Sequence, residues 1–396
     1  SGAGALSMAV SDTGISSAFY DAFDEERYAV HYSDGSIENL TSDQVTLGSN
    51  GQSITFQGLT ASQSNVVVST TVKKQALKSK QKNYLRSQKV TIDQTSVGIS
   101  TDLTGMTKST GYGLRVEDKE ISLNHPDAVK IIGVFESIDS NLPILDKITL
   151  PSGLSLNTNA ILGEKITGST SDAIAQITGL ISATQVEIVY LTSDKFITGE
   201  VVNFDESKIS STIQSIDATS SLNITNIFDL DKGQRDQFYD YSRIVRKQNF
   251  APPARKLTIV FDRYDIPSND NGDFYTIGSY DDERYSHDIP NIGNKNVRAS
   301  DTIDFRPRVA YYSGSESPFA FQNRTFASTI NPSFIVTPNE SSILGYNYYL
   351  PRIDKVILDN NGLLSVLKGK SNINPKEPVH DVNNMDIATI TLPPYL

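Results

Sequence analysis

The sequence predicts a mainly β, multidomain protein, and three observations favour that fold class. Short stretches rich in β-branched and aromatic residues alternate between polar and apolar positions with the period of a strand. Asp-Gly and Asn-Gly turn signals separate such stretches at intervals of about ten residues. The 396 residues are enough for several domains, and 38% hydrophobic with 20% charged residues is typical of a globular protein.

The N-terminal part divides into an arm and a small domain. Residues 1–14 are small and mostly polar, which predicts an extended arm or linker. Residues 15–95 predict a β-sandwich, because hairpin signals at Asp34-Gly35 and Asn50-Gly51 are followed by the β-branched stretch 65–72.

The middle of the chain predicts more strands and one inserted module. Residues 96–154 read as a β-rich segment of the main domain. Within residues 155–220 the Gly-Glu at 163–164 is echoed by the Gly-Glu at 199–200, each followed by β-branched residues. Two copies are too few for a solenoid, so we expect a small β-barrel-like module. A lectin role for this module remains an alternative, although the chain has no Trp for stacking on sugar rings.

Residues 221–396 predict the β-rich C-terminal part of the main domain, with one docking helix. The helix is expected over 231–247, because Phe238, Tyr241 and Ile244 recur at helical spacing and basic residues fill the last turn. A further hairpin is expected around the turn at Asn360-Asn361-Gly362.

Composition limits the partners. The chain has no cysteine, which excludes disulfides, thiolate nucleophiles and Cys-ligated zinc. A formal charge of −11 argues against attraction of nucleic acid to the whole surface. No apolar run reaches the length of a membrane span, and no signal peptide pattern is present at the N-terminus. We therefore expect no nucleic-acid or membrane partner.

One cluster of positive charge lies between residues 73 and 89 and leaves two interpretations open. It could contact nucleic acid, or it could form a strand edge or meet an acidic subunit, which is the interpretation we favour. The cluster comprises Lys73, Lys74, Lys78, Lys80, Lys82, Arg86 and Lys89.

An acidic run after residue 261 leaves three interpretations open, namely a structural turn, a cation loop and a catalytic carboxylate pair. The Asn269-Asp270-Asn271-Gly272-Asp273 stretch has oxygen ligands suited to Ca²⁺ but lacks the EF-hand spacing, and tight turns share its composition. Two carboxylates at a suitable separation could serve glycoside hydrolysis. We favour the structural turn. His287 beside Asp288 is too little for a catalytic triad, because no Gly-x-Ser-x-Gly elbow is present. We expect no enzymatic activity, no metal and no cofactor.

Arginines beside carboxylates recur in the last hundred residues. We expect Arg306, Arg308 and Arg352 to form structural ion pairs with Asp301, Asp304 or Asp354, since a guanidinium matches a carboxylate and stays charged when desolvated. Pro307 should hold its segment extended, so that the two flanking arginines point to opposite faces.

These segments also carry a resemblance. The strings Ile-Asp-Phe-Arg-Pro-Arg (303–308), Tyr-Tyr-Leu-Pro-Arg-Ile-Asp-Lys (348–355) and Leu-Pro-Pro-Tyr (392–395) resemble a domain of large virion structural proteins of contractile-tailed cyanobacterial phages. The similarity extends back through 261–265 and 231–243, and so covers about the C-terminal half. It implies a longer protein that forms part of the tail, baseplate or fibre attachment apparatus. It also implies localisation in the virion and contacts with other virion proteins. The Gly/Ala/Ser arm, the Pro-rich edges and the segregation of acidic and basic segments separately favour a homo-oligomer, with a trimer as the expected size.

Two other functions stay open at this stage. A host-surface glycan-binding module would need an exposed aromatic or polar groove. A polysaccharide depolymerase would need paired carboxylates in a cleft.

Overall fold

The computed structural model describes residues 4–13, 17–60, 66–97, 104–267, 270, 272–281, 288–326, 347–379 and 382–394. The chain forms two compact units, and among the described residues the first extends to Lys78 and the second comprises the remainder. Within the described residues there are 27 strands and one α-helix, the four-residue Leu156–Asn159. The predicted mainly β, multidomain fold class is confirmed. None of the helices in these ranges has the length and apolar character needed to cross a bilayer.

The first unit consists of small antiparallel sheets around one apolar core. The sheets have the strand orders β1-β6-β5, β4-β3-β7 and β2-β8. Their core contains Tyr20, Tyr28, Val30, Ile54 and Phe56, each at most 2% exposed. The strands are β1 (Gly4–Ala9), β2 (Ala18–Tyr20), β3 (Ala29–His31), β4 (Ile37–Asn39), β5 (Val45–Leu47), β6 (Ser53–Leu59), β7 (Val67–Ser69) and β8 (Val72–Lys74).

Both predicted hairpins form here. Strand β3 pairs with β4 around a turn in which Gly35 has φ +87°, and β5 pairs with β6 around Asn50 and Gly51. Glycine adopts positive φ without steric strain. The dipeptides Asp34-Gly35 and Asn50-Gly51 therefore predicted the two hairpins correctly.

Two N-terminal boundaries were wrong. The expected arm over 1–14 contains strand β1, whose Leu6 and Met8 pack against the core of the first unit. The Gly/Ala/Ser composition hid this alternation of apolar side chains. The expected sandwich over 15–95 also extends too far, because the first unit ends at Lys78. The following strand β9 (Asn83–Ile92) pairs instead with β24 in the second unit.

The main body of the second unit packs two sheets on one core. One sheet has the order β21-β13-β24-β9, another has β12-β23-β22, and β10 with β11 forms a short parallel pair. Ile121 and Ile244 of the second sheet share an apolar cluster with Val134 and Phe261 of the first. The strands are β9, β10 (Gln94–Thr95), β11 (Thr107–Lys108), β12 (Glu120–Pro126), β13 (Ala128–Ser137), β21 (Ser221–Asn223), β22 (Phe228–Asp231), β23 (Tyr241–Arg246) and β24 (Leu257–Asp265).

The predicted docking helix over 231–247 is wrong. Strand β22 ends at Asp231, a turn follows, and the antiparallel strand β23 begins at Tyr241. Gly233 has φ +74°, and a Cβ there would lie 2.2 Å from the carbonyl oxygen of Asp240, so the chain reverses where a helix would continue. Phe238 lies in the turn and Tyr241 begins the strand, so their spacing did not arise from a helix.

The inserted module starts slightly earlier than expected, at Asp146. Its seven strands follow the order β19-β18-β15-β16-β17-β14-β20. The two outermost strands are joined by residues 213 and 214 alone, so the sheet must curl until its edges meet. The strands are β14 (Asp146–Thr149), β15 (Lys165–Gly168), β16 (Ile174–Leu180), β17 (Gln185–Tyr190), β18 (Val201–Phe204), β19 (Ser210–Thr212) and β20 (Ser215–Asp217). The predicted β-barrel-like character is thus confirmed.

The repeat inside the module is a structural duplication. Glu164 accepts hydrogen bonds from the backbone N–H groups of Ile161, Glu206 and Ser207. The equivalent Glu200 accepts from Ile197, Thr170 and Ser171, so each copy caps a loop of the other. Strands β15 and β18 pair antiparallel, as a two-fold relationship between the copies requires.

The C-terminal stretch forms a three-stranded antiparallel sheet of order β26-β25-β27. Its strands are β25 (Arg352–Leu358), β26 (Leu364–Leu367) and β27 (Met385–Leu392). The predicted hairpin joins β25 to β26, with Gly362 at φ +79°. Short 3₁₀ helices elsewhere are Val10–Thr13, Ser49–Gly51, Thr225–Ile227, Ile277–Ser279, Ala299–Asp301 and Phe321–Asn323.

Candidate functional site

A buried lysine lies at the centre of the second unit, inside a cage of four tyrosines. The side chain of Lys82, just before β9, is 1% exposed. Its Nζ lies 4.5 Å from the ring centroid of Tyr239, 4.6 Å from that of Tyr275, 4.8 Å from that of Tyr280 and 5.5 Å from that of Tyr264. Aromatic faces attract a cation, and the attraction grows when water is excluded. We call these five residues the lysine cage.

The cation in the cage is paired. The Nζ of Lys82 donates to Asp127 Oδ2 at 2.5 Å and to the Tyr280 hydroxyl at 3.1 Å. The side chain of Asp127 is also 1% exposed, and its second oxygen accepts from Gln234 Nε2 at 2.8 Å. Asp127 has φ +63°, a conformation that Asp tolerates better than most residues. The ammonium group of Lys82 therefore finds its acceptors within the fold.

The same network continues to a second buried ion pair. Arg306 donates to Gln234 Oε1 at 2.9 Å and to Asp304 Oδ2 at 2.7 Å. The Tyr239 hydroxyl donates to Asp304 at 2.6 Å, and Lys82 Nζ approaches the same hydroxyl at 3.4 Å. The contacts form a closed circuit through Lys82, Asp127, Gln234, Arg306, Asp304 and Tyr239. The two positive charges in this circuit equal its two negative charges in number.

The pKa shifts agree with a sealed network. Burial lowers the pKa of Lys82, and the charge of Asp127 opposes that shift. Burial alone would raise the pKa of Asp304, but hydrogen bonds from Arg306 and Tyr239 outweigh it and lower the pKa. Burial raises the pKa of Tyr239 well above its usual value, so its hydroxyl stays a donor. This arrangement stabilises the fold and offers no reacting group to solvent.

The structure places the predicted arginine pairs as follows. Arg306 pairs with Asp304, and their side chains are 8% and 2% exposed. Arg352 pairs with Asp354 at 2.9 Å on the C-terminal sheet. Asp301 pairs with Arg298 at 3.1 Å, outside the predicted set.

The prediction for Arg308 named the wrong carboxylates. Its Nη2 lies 2.9 Å from Asp265, at the end of β24, instead of from any of the three predicted aspartates. The side chains of Arg308 and Arg306 are only 14% and 8% exposed, so both flanking arginines of Pro307 point inward. Sequence proximity could not have identified Asp265, because it lies about forty residues earlier in the chain.

Two members of the acidic run, Asp262 and Asp270, serve the fold. Asp262 is fully buried and accepts from Ser87 N at 2.7 Å and from the Tyr84 hydroxyl at 3.1 Å. Asp270 accepts from the backbone N–H groups of Gln81 and Gly272, as in a structural turn. Asn269, Asn271, residues 282–286 and His287 lie outside the described residues. In the ranges that can be described, no three His, Asp or Glu side chains gather as metal ligands would.

The lysine-rich cluster is dispersed. Lys82 is buried in the cage, while Arg86 pairs with Glu206 and Lys89 pairs with Glu187, both acids lying in the β-barrel-like module. In the first unit Lys73 pairs with Asp21 at 2.8 Å. These four residues are therefore engaged within the chain, and the choice between a strand edge, an acidic subunit and nucleic acid stays a prediction.

The C-terminal sheet exposes apolar side chains on one face. Cross-strand neighbours share a face, which here carries the triplets Leu358, Leu364 and Met385, and Val356, Val366 and Ala388. Leu364 is 66% exposed, Met385 64% and Val366 54%. We call this surface the C-terminal apolar face. An apolar surface left in water is a feature of interaction sites.

Comparison with known proteins bears on this same region. Residues 322–396 match a domain of unknown function (DUF4815). This DUF4815 stretch contains all three strands of the C-terminal sheet and therefore the apolar face. No curated protein matches the chain, and no solved structure does. The match carries no function with it.

Sequence reasoning missed the lysine cage. Lys82 appeared only as one member of a charge cluster, and its four tyrosines are spread from residue 239 to residue 280. No local pattern joins them, because long-range contacts bring them together. The available signal was the position of Lys82 immediately before a ten-residue strand, where a side chain can point inward.

Proposed function

We propose that this chain is a structural component of a phage virion, within the tail, baseplate or fibre attachment apparatus. It acts there as an assembly part without turnover, contacting other virion proteins and further copies of itself, with a trimer as the expected oligomer. The resemblance of the segments 303–308 and 348–355 to phage structural proteins supports the setting. The geometry that supports assembly lies in the C-terminal sheet.

The observation that carries the proposal is the C-terminal apolar face. Leu364, Val366 and Met385 stand beside one another and are each more than half exposed. Complete burial of a fully exposed side chain of this size contributes about 1.5–3 kcal/mol, and these partly buried side chains would each gain roughly half to two thirds of that. A part that docks on neighbouring subunits gains this energy on assembly.

The outer edge of the same sheet supports the proposal further. Strand β27 is eight residues long and, within the described residues, pairs with β25 on one side. Its one charged residue, Asp386, is paired with Lys355 at 2.9 Å. Monomeric proteins often protect such edges with lysines or prolines, and β27 contains neither, although its pairing with β25 carries one bulge. An edge of this kind is suited to pairing with a strand from another subunit.

Sedimentation velocity tests the assembly proposal. The parent protein should self-associate at micromolar concentration, and Val366→Asp should weaken that association at least tenfold, since a charge must then be desolvated at the contact. Ile37→Asp is the matched control, because Ile37 is 61% exposed but lies in the first unit. A parent that remains monomeric well above micromolar concentration contradicts self-association through this chain.

The virion setting needs a separate test. Purified particles of a phage encoding this chain should react with antibodies raised against it, at the tail or its attachment apparatus in immunogold images. Labelling confined to cell lysate, with none on particles, would exclude the proposed localisation.

A further inference from the structure

A shallow polar groove lies in the second unit, and its lining includes no residue of the lysine cage or of the C-terminal sheet. Its volume is about 210 Å³. One wall carries Asp93 and Gln94, which follow β9. The other carries Asn124, in β12, and the segment from Tyr311 to Gly314. We call it the Tyr311 groove.

The aromatic ring at this groove is fixed and accessible. The ring centroid of Tyr311 lies 4.7 Å from that of His125, at an interplanar angle of 33°. The residue is nevertheless 60% exposed, so the imidazole supports one side of the ring and the rest faces water. The backbone N–H of Tyr312 donates to the Asn124 carbonyl at 3.0 Å and anchors the segment. A tyrosine held in this way offers apolar contact area with little loss of conformational entropy on binding.

The walls present hydrogen-bond acceptors. The carboxylate of Asp93 belongs to an exposed residue. Within the described residues, Gln94 Oε1 and Asn124 Oδ1 are buried and have no hydrogen-bond partner. Buried acceptors are normally paired, so these two oxygens lack a donor. Both residues line the groove, and the last torsion of an amide side chain has a broad energy well, so these oxygens are the acceptors that we assign to a ligand there.

The charged groups around the Tyr311 groove favour a neutral ligand. Asp265 accepts from Arg263 at 3.0 Å and from Arg308 at 2.9 Å, and both guanidinium groups lie near His125. Two guanidinium groups beneath the platform disfavour a cation stacked on Tyr311. The carboxylate of Asp93 on the opposite wall disfavours an anion.

We propose that the Tyr311 groove binds a neutral, hydroxyl-rich saccharide. The apolar face of a pyranose ring stacks on Tyr311, and its hydroxyl groups donate to Asp93 and to the amide oxygens of Gln94 and Asn124. This site is independent of the assembly surface on the C-terminal sheet, so the two proposals stand or fall separately.

Saturation-transfer NMR tests the proposal with defined probes. The methyl glycosides of glucose, galactose, mannose and N-acetylglucosamine are offered to the parent protein at tens of millimolar concentration. N-acetylarginine amide and methyl glucuronide serve as the cationic and anionic probes. At least one neutral glycoside should bind, and Tyr311→Ala and Asp93→Asn should each weaken its binding at least tenfold. Both side chains are exposed, so these variants should fold, and circular dichroism verifies it.

Two further variants test whether the stacking surface and the location of the site are as proposed. Tyr311→Phe should retain binding, because it keeps the stacking surface. Tyr349→Ala should bind like the parent, since that tyrosine is 83% exposed but lies just before the C-terminal sheet. The proposal is overturned if no neutral glycoside binds the parent, or if binding survives Tyr311→Ala. A cationic or anionic probe that binds more tightly than every neutral one, and depends on Tyr311, overturns it in favour of a charged ligand.

Discussion

Lys82 and Asp127 form an ion pair from which water is excluded: their side chains are each 1% exposed and their charged atoms lie 2.5 Å apart. A pair of this kind is expensive to bury and more expensive to break, because removal of one partner leaves the other charge unpaired. The tyrosine cage and Gln234 offset part of the burial cost by satisfying the remaining donors and acceptors.

The first prediction follows from that pair. Lys82→Met should lower the free energy of unfolding by about 3–5 kcal/mol, since Asp127 would remain charged and buried. The double variant Lys82→Met, Asp127→Asn should recover part of the loss, because it removes the stranded charge. Chemical denaturation measures both.

An exposed pair is the control for that experiment. Lys247 and Asp229 lie 3.4 Å apart with side chains 39% and 70% exposed, so Lys247→Met should cost about 0–1 kcal/mol. Equal losses from Lys82→Met and Lys247→Met would contradict the importance assigned to the buried pair.

The second prediction ranks the two arginines that flank Pro307. Arg306→Ala should destabilise by about 3–5 kcal/mol, since it breaks a pair with Asp304 that is almost fully buried. Arg308→Ala should cost less, because its partner Asp265 is 35% exposed and keeps Arg263 as a second partner.

Thermal melting of both arginine variants decides this ranking. Arg298→Ala is a suitable control, since its pair with Asp301 is 33% and 27% exposed and should contribute little. If Arg306→Ala and Arg308→Ala both melt like the parent protein, neither arginine has the structural role proposed for it.

Local signals in the sequence predicted the strands and hairpins well. The turns at Gly35 and Gly362 need positive φ, which glycine adopts readily, so a pattern of two or three neighbouring residues is enough to predict each turn. The prediction of a docking helix was wrong because the chain reverses near Gly233, and the spacing of Phe238 and Tyr241 only resembled that of a helix. Local periodicity cannot distinguish the two cases when only three positions repeat.

The candidate sites were harder to predict, because they depend on long-range pairing. Asp265 reaches Arg308, and Lys82 reaches Tyr239, across separations of 43 and 157 residues. Arg306 with Asp304 could be anticipated, since two residues separate them. The groove at Tyr311 gave no sequence signal, because its exposed ring depends on His125 from another strand.

The third prediction uses the duplication inside the β-barrel-like module. Glu164→Gln and Glu200→Gln should destabilise by similar amounts, about 1–3 kcal/mol each, because each replaces an acceptor of backbone N–H groups with a donor. Glu187→Gln is the control, since its carboxylate accepts from side chains instead. Chemical denaturation of the three variants compares them, and a large loss from only one of the two equivalent glutamates would contradict the two-fold interpretation.

The fourth prediction concerns stability and pH. Burial lowers the pKa of His125 to about 3, and the charges of Arg263 and Arg308 add to the shift. In the unfolded chain the pKa of His125 is near 6.5, so at acidic pH the unfolded state binds a proton that the folded state does not bind. The stability that depends on neutral His125 is therefore complete above about pH 6.5 and falls as the pH drops towards 3.

The variant His125→Phe isolates this contribution, because phenylalanine keeps an aromatic ring beneath Tyr311 and cannot be protonated. Between pH 7.5 and pH 5 the parent should lose about 2 kcal/mol more unfolding free energy than the variant does. Above about pH 7.5 the difference between the two proteins should stay constant, since the imidazole is neutral in both the folded and unfolded states. Denaturation curves across this range provide the measurement. Parallel losses in both proteins would mean that His125 accepts a proton in the folded state, and that the guanidinium groups beside it do not prevent this.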